Sequence, residues 1–303
     1  MIRKELGTTG VFIPEVGIGT WNYHAGPETL RRGLEAGALF IDTAESYGTE
    51  GVVGEALAGL RDRVFLATKV SPQNFHEADL KRSVDSSLRR LRIDAIDLLQ
   101  LHEPNPSIPI EETIGAMTAL VDAGKVRFIG VSNFSIKQLQ EAQAASKKYP
   151  IVSHQVRYNI IDRTIEKDLL QYCQANKTTV IAYSPLARGL SRIRDCDPNA
   201  VLVRLACELR RSEAQIVLNW CLCKDGVVVI PGGNSAAHIL ENCAASSWRL
   251  SPEQISMLDA NILYRRRTWF DRLVRRRAPK TLQNIALRLV NYLPRGLRRR
   301  IIT

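Results

Sequence analysis

One repeating order constrains the fold more than anything else in the chain: a short apolar run, then a longer amphipathic stretch, eight times in succession. The apolar runs lie at 16–21, 39–42, 64–69, 95–101, 126–131, 151–155, 178–183 and 227–230. Their length and their β-branched and aromatic content are those of buried strands. Helices are predicted over about 27–36, 50–60, 77–91, 111–123, 135–148, 165–176, 198–210, 213–223, 235–245 and 251–261. The helix at 213–223 is opened by a capping box, Ser212 with Gln215. Strict strand-then-helix order means parallel strands joined by right-handed crossovers. Eight units in 303 residues predict an α/β protein, a single (β/α)8 TIM barrel, in preference to an open doubly wound sheet. No Gly-x-Gly-x-x-Gly opens a βα unit, which argues against a Rossmann domain. Gly and Thr turn signals within residues 4–14 add an N-terminal hairpin.

Charge divides the chain in two. The net formal charge is +11, but residues 264–303 carry thirteen Arg or Lys and one acid, so residues 1–263 sum to −1. The expected organisation is therefore a near-neutral barrel over 1–263 and a basic C-terminal tail over 264–303. No apolar stretch reaches the roughly 20 residues of a membrane span, and the start lacks a signal-peptide core, so the expected location is cytoplasmic. Six cysteines without Cys-x-x-Cys pairing or His partners at ligand spacing predict reduced thiols and no metal site.

In parallel α/β folds chemistry is done at the C-terminal ends of the strands. Asp42, Lys69 and His102 close the second, third and fourth apolar runs, and Tyr47 follows Asp42 closely. An acid, an amine, an imidazole and a phenol gathered there suggest proton handling. Around them stand Gly19-Thr20-Trp21, Phe40-Ile41-Asp42-Thr43-Ala44-x-x-Tyr47-Gly48, Thr68-Lys69, Leu101-His102, Gly130-Val131-Ser132-Asn133-Phe134, Gln155-Val156-x-Tyr158-Asn159, Ala182-Tyr183-Ser184-Pro185-Leu186 and Ile230-Pro231-Gly232. In this order and spacing, over about residues 3–260, the set resembles the aldo-keto reductase superfamily.

The resemblance implies an oxidoreductase that reduces an aldehyde or ketone to an alcohol with hydride from NAD(P)H, NADP(H) being favoured over NAD(H). Tyr47 would be the general acid, Lys69 its activator, Asp42 the anchor of that lysine, and His102 the group orienting the carbonyl. A free phenol has a pKa of about 10, and Lys69 is expected to pull it down. Trp21, Tyr47 and His102 would line the substrate pocket, with Glu103 next to the histidine where many members carry an aromatic or Arg. Ser132, Asn133 and Gln155 match the residues holding the nicotinamide carboxamide, and Tyr183 the ring stacked on it. Thr20, Asp42, Ser184, Leu186 and Gly189 would complete the nicotinamide and pyrophosphate contacts. At the adenosine end Gly232, Asn234, His238, Glu241 and Asn242 are the candidates; many members have Pro-Lys-Ser and a later Arg there, and this chain has Gly232, Gly233 and His238 instead.

Two other readings of the same residues stand beside this one. Lys69 could form a Schiff base in an aldolase, although an aspartate partner would keep its amine protonated. The chain could also be a cofactor-binding regulatory or interaction module, in the manner of ion-channel subunits. In the tail, apolar residues at 282, 285, 286, 289, 290 and 293 trace one helical face beside Arg clusters, a pattern suited to peripheral contact with an anionic membrane. Charge alone predicts no specific nucleic-acid recognition. The sequence leaves the oligomeric state open.

Overall fold

The computed structural model describes residues 1–264. The tail helix expected over about 281–293, and all of the tail's basic charge, lie outside the described residues.

The chain opens with the expected hairpin, β1 (Arg3–Glu5) antiparallel to β2 (Phe12–Pro14). Eight parallel strands follow: β3 (Ile18–Gly19), β4 (Phe40–Asp42), β5 (Phe65–Val70), β6 (Ile96–Leu101), β7 (Val126–Ser132), β8 (Ile151–Arg157), β9 (Thr179–Tyr183) and β10 (Val227–Ile230). Each neighbour in sequence is a neighbour in the sheet. Helices α1 (Pro27–Glu35), α2 (Glu50–Ala56), α3 (Glu77–Leu91), α4 (Ile110–Asp122), α5 (Ile136–Ala145) and α6 (Leu169–Ala175) alternate with the strands. Between β9 and β10 come α7 (Leu190–Arg194), α8 (Val201–Leu209) and α9 (Glu213–Leu222), and α10 (Ala236–Cys243) and α11 (Pro252–Asn261) follow β10.

The barrel closes where its shortest strand meets its last. Bridges pair Val16 with Val229 and Gly19 with Gly232, and the Gly17 and Gly19 amides donate to the Val229 and Pro231 carbonyls. The first strand was expected over 16–21, but only two of its residues form a continuous ladder with β4. The rest of that segment is divided between the seam with β10 and the loop that starts at Thr20. Gly19 is required at this seam, because a Cβ there would sit 2.7 Å from the Ile230 carbonyl oxygen.

Inside the barrel, Phe40, Phe65, Leu98, Ile181 and Val228 form one apolar layer, with Phe40 and Phe65 edge to face at 5.7 Å. Leu6 and Ile13 from the hairpin join that layer, so the hairpin plugs the end of the barrel away from the strand C-termini. A larger apolar cluster lies between strands and helices. Core filling at one end leaves the other free for polar residues, which sit two or four positions further along several of the same strands.

Differences from the predicted helices follow local backbone chemistry. The helix expected over 50–60 stops at Ala56, ahead of a left-handed Gly59 and a 3₁₀ turn at Arg61–Arg63. The helix expected over 165–176 is split, with a 3₁₀ turn at Thr164–Lys167 and α6 restarted by Asp168, whose carboxylate caps the Leu169 amide. The Ser212–Gln215 capping box is present. The short α7 and a 3₁₀ turn at Glu45–Tyr47 were not anticipated, since neither is long enough to show periodicity.

The seam yields a test. Gly19→Ala forces the new methyl against a backbone oxygen that has no rotamer to yield, so a loss of about 1–3 kcal/mol is expected. Urea unfolding of the variant against the parent chain measures it, and an unchanged midpoint would contradict the close-approach argument.

Candidate active site

The four strand-end residues come together. Asp42 ends β4, Lys69 is the fifth of six residues in β5, and His102 follows β6 directly. Along β5, Ala67 belongs to the interior layer while Leu66 and Val70 face the helices, so the period of two carries Lys69 inward. Tyr47 arrives by a different route. It closes the 3₁₀ turn Glu45–Tyr47, which ends at Gly48 with φ of 71°, a left-handed conformation that glycine adopts without strain.

Lys69 is fully buried. Its ammonium donates to Asp42 Oδ1 at 2.5 Å, to the Thr43 carbonyl at 2.8 Å and to the Tyr47 hydroxyl at 3.5 Å, and lies 4.9 Å from the Tyr47 ring centre. Three acceptors match the three N–H bonds of an ammonium. Burial by itself would lower this amine's pKa; Asp42 and Tyr47 outweigh it, and the pKa is raised. Lys69 is a fixed positive charge, not a free nucleophile.

Tyr47 differs from the expectation. Its pKa is raised, because loss of water around the phenol outweighs the pull of Lys69. The phenol is thus in its proton-donating form at neutral pH. His102 lies on its other side, with Nε2 3.5 Å from the Tyr47 hydroxyl, rings edge to face at 5.5 Å, and Nδ1 3.4 Å from the Ser46 hydroxyl. Burial, with Lys69 adding to it, lowers His102 to about 4, so the imidazole is neutral at ordinary pH.

A cavity of about 760 Å³ runs from this cluster across the strand ends. Every site residue expected from the sequence lines it except Lys69, which is sealed beneath, and Asn234. Asn234 instead joins two loops: its Oδ1 accepts the His24 amide at 2.9 Å and its Nδ2 donates to the Asn22 carbonyl at 3.3 Å. Thr20 lines the cavity but is tied down, its hydroxyl shared with the Asp42 carbonyl and the Thr49 hydroxyl. Asn133 is left-handed, at φ 62°; its Oδ1 accepts the Tyr183 hydroxyl at 2.9 Å and its Nδ2 donates to the His102 carbonyl. Ser132, Gln155, Tyr183, Ser184, Leu186 and Gly189 form one wall, and Gly232, His238, Glu241 and Asn242 the far end. His238 and Asn242 belong to α10, whose Ser235 cap accepts the His238 amide. The loop from Ser184 to Gly189 holds three non-glycine residues at positive φ, Ser184, Ala187 and Arg188, a concentration of strain found where backbone shape is part of a site.

Several participants were not picked out from the sequence. Glu45 anchors the turn that carries Tyr47: its carboxylate accepts the Ser71 amide at 2.6 Å, the Asn74 side chain at 3.0 Å and the Ser83 hydroxyl. Its partners follow it by 26 to 38 residues, so nothing local marked it. Gln100 is fully buried and donates to Asp42 Oδ2 at 3.3 Å. Its position two residues before His102 on an inward-facing register was the available signal. Arg188 differs from these two, since its place beside Gly189 already makes it a pyrophosphate candidate from the sequence; the contact that the sequence does not show is its stacking at 4.8 Å on the Trp21 ring.

Comparison with known proteins agrees with this fold. The aldo/keto reductase family model matches residues 7–262. The chain belongs to the aldo/keto reductase family of oxidoreductases. Over 273 residues it is 40% identical to the methylglyoxal reductase YeaE of Escherichia coli, covering 86% of this chain and 95% of that one. The thermostable aldo-keto reductase Tm1743, solved with the inhibitor epalrestat, superposes with a TM-score of 0.80 at 40% identity, covering 86% of this chain and 99% of the other. A Klebsiella pneumoniae aldo-keto reductase solved with NADPH gives 0.81 at 37% identity, over 88% and 98%.

Two measurements test the electrostatics. Lys69→Met leaves the Asp42 carboxylate buried without its cation and is expected to lose about 3–5 kcal/mol of stability. Adding Asp42→Asn should restore part of that loss without restoring activity; a double variant less stable than the single one would contradict the pairing. For His102, a folded pKa near 4 against 6.5 means that the unfolded chain takes up a proton which the folded chain refuses. Its contribution is complete above about pH 6.5 and is lost as pH falls toward 4. Between pH 7 and about 4.5, His102→Asn is expected to lose less stability than the parent, by roughly 2 kcal/mol in urea unfolding.

Proposed function

We propose that the protein reduces an aldehyde or ketone to an alcohol with NADP(H) as the hydride source, and that Tyr47 is the general acid. The observation that carries this reading is a phenol kept protonated between a buried ammonium and a neutral imidazole at the head of the cavity. In reduction the carbonyl oxygen gains negative charge as hydride reaches the carbon, and the group beside it must then give up a proton. Tyr47 holds that proton, and Lys69 at 3.5 Å stabilises the phenolate left behind. His102, neutral, can hydrogen-bond the same oxygen and orient it without competing as an acid. Trp21, half exposed at the mouth, supplies an apolar wall for the remainder of the substrate.

The cavity suits a dinucleotide. Its middle carries amide and hydroxyl groups at Ser132, Asn133 and Gln155 beside the Tyr183 ring, groups that pair with a carboxamide and stack on a flat heterocycle. Arg188 and the strained loop before Gly189 border the same cavity and would hold a pyrophosphate. At the far end Gly232, His238 and the N-terminus of α10 can receive a further phosphate through N–H groups in place of Lys or Arg side chains. Bound there, NADPH would supply the hydride that no side chain can. The similarity to a reductase solved with NADPH supports this choice over NADH.

A Schiff-base role for Lys69 conflicts with its burial and its three acceptors, since the amine neither reaches the cavity nor loses its proton. We assign the reaction to residues 1–263 and treat 264–303 as an appended basic segment, in keeping with a family match that ends at residue 262.

Loss of NADPH absorbance against a panel of carbonyl compounds, methylglyoxal and aromatic aldehydes included, tests the whole reading. Tyr47→Phe should lower kcat at least about 100-fold while leaving the NADPH Kd nearly unchanged. The same assay on a chain ending at Tyr264 is expected to give the parent kcat. Turnover with no carbonyl compound, or an active Tyr47→Phe variant, would overturn the assignment.

A further inference from the structure

Asp42 offers Oδ1 to Lys69, and its other oxygen is held by two buried amides. Gln155 Nε2 donates to Oδ2 at 2.7 Å and Gln100 Nε2 donates to the same atom at 3.3 Å. A carboxylate oxygen only accepts, so both carboxamides must present nitrogen to it, and this settles which end of each is oxygen. Gln155 Nε2 also points its second N–H at Gln100 Oε1, at 3.4 Å. Both donors of Gln155 are then spent. Its Oε1 takes no hydrogen bond from any described residue and is not among the sealed, unpartnered polar atoms. Gln155 borders the cavity, whereas Gln100 is fully buried and does not.

The neighbouring amide is committed in another way. Asn133 gives Nδ2 to His102 and Ser132 and uses Oδ1 to accept from Tyr183. That leaves Gln155 Oε1 as an open carboxamide acceptor on this wall of the cavity.

We propose that Gln100 is a positioning residue for cofactor recognition: by bridging Asp42 and Gln155 it holds the Gln155 carboxamide with Oε1 toward the cavity, an acceptor for the amide N–H of a nicotinamide. The proposal rests on the assignment of a nicotinamide dinucleotide to this cavity. Without Gln100, one donor to Asp42 disappears and the second N–H of Gln155 has no acceptor. The carboxamide of Gln155 then loses the contact that fixes its orientation. Gln100 does not border the cavity and acts only through Asp42 and Gln155, so its effect is expected at the nicotinamide end.

The test uses the full chain, calorimetric titration and three probes: NADPH, its reduced 3-acetylpyridine analogue, which has no amide N–H, and 2′,5′-ADP, which carries only the adenosine end. In the parent chain NADPH should bind about tenfold more tightly than the acetylpyridine form, the size expected for one hydrogen bond in a closed site. In Gln100→Met that preference should fall to less than about threefold, with 2′,5′-ADP affinity unchanged. Equal weakening of all three probes, or a preference that survives the substitution, would overturn the proposal. Equal affinity of the parent chain for NADPH and the acetylpyridine form would overturn it without any variant. A parent chain that binds 2′,5′-ADP and neither dinucleotide would instead remove the cofactor assignment on which it rests.

Discussion

A buried ion pair between Lys69 and Asp42 is the interaction on which the rest of the site depends. Taking two charges out of water costs several kcal/mol for each ion, and their attraction offsets this only if the remaining donors and acceptors are satisfied. Here they are satisfied from five parts of the barrel: β4 gives Asp42, the loop after it gives the Thr43 carbonyl, β5 gives Lys69, β6 gives Gln100 and β8 gives Gln155. Asp42 and Lys69 lie on neighbouring strands, but Gln100 and Gln155 come from two others, so the full set of contacts is complete only when the strands curve round into the barrel. The same closure that stabilises the charge also places it 3.5 Å from the Tyr47 phenol. Fold and chemistry therefore share one set of contacts.

The way the barrel fills explains why the polar cluster is at one end only. Leu6 and Ile13 from the hairpin complete an interior layer with Phe40, Phe65 and Leu98, leaving no room for water there. Two residues further along those strands the side chains become Asp42, Ala67 and Gln100, and the next positions inward are Lys69 and His102. Alternation along a strand thus changes a dry core into a reactive floor within about 7 Å of rise.

Much of this was legible from the chain, and the reason is periodicity. Strand order and barrel class follow from the eightfold alternation of apolar run and helix; the convergence of Asp42, Lys69 and His102 follows from runs that end in a polar residue, with a strand's period of two carrying the side chains inward. Gln100 obeys the same rule and could have been read from it, since it lies between Leu98 and His102 on one face of β6. Other features have no such signature. Glu45 holds the Tyr47 turn through Ser71, Asn74 and Ser83, groups that only the folded chain brings near, and Asn234 looked like a ligand residue because its role between two loops depends on His24 and Asn22. The direction of the Tyr47 shift was misjudged for a related reason. The sequence shows which charge lies beside the phenol, but not how much water has been taken away, and removal of water decided the sign.

The seam between β3 and β10 shows how the same barrel makes room for a long ligand. Its strands are short, its bridges are Val16 with Val229 and Gly19 with Gly232, and residues on both sides of it, Gly19, Thr20 and Trp21 against Ile230, Pro231 and Gly232, line the cavity. A larger side chain at Gly19 would meet the Ile230 carbonyl, whereas a Cβ at Gly232 would approach nothing closer than 3.8 Å. The two glycines therefore differ in what they permit. Gly19 lets the backbones close, while Gly232 has room for a Cβ and sets no such limit. Above the seam, Asn234 ties the loop after β10 to the loop after β3, and Arg188 reaches over to the Trp21 ring. The Arg188–Trp21 stack thus borders the cavity beside the seam. The seam therefore joins the tetrad to the far end of the cavity, with the close backbone approach at Gly19 keeping the barrel shut beneath it.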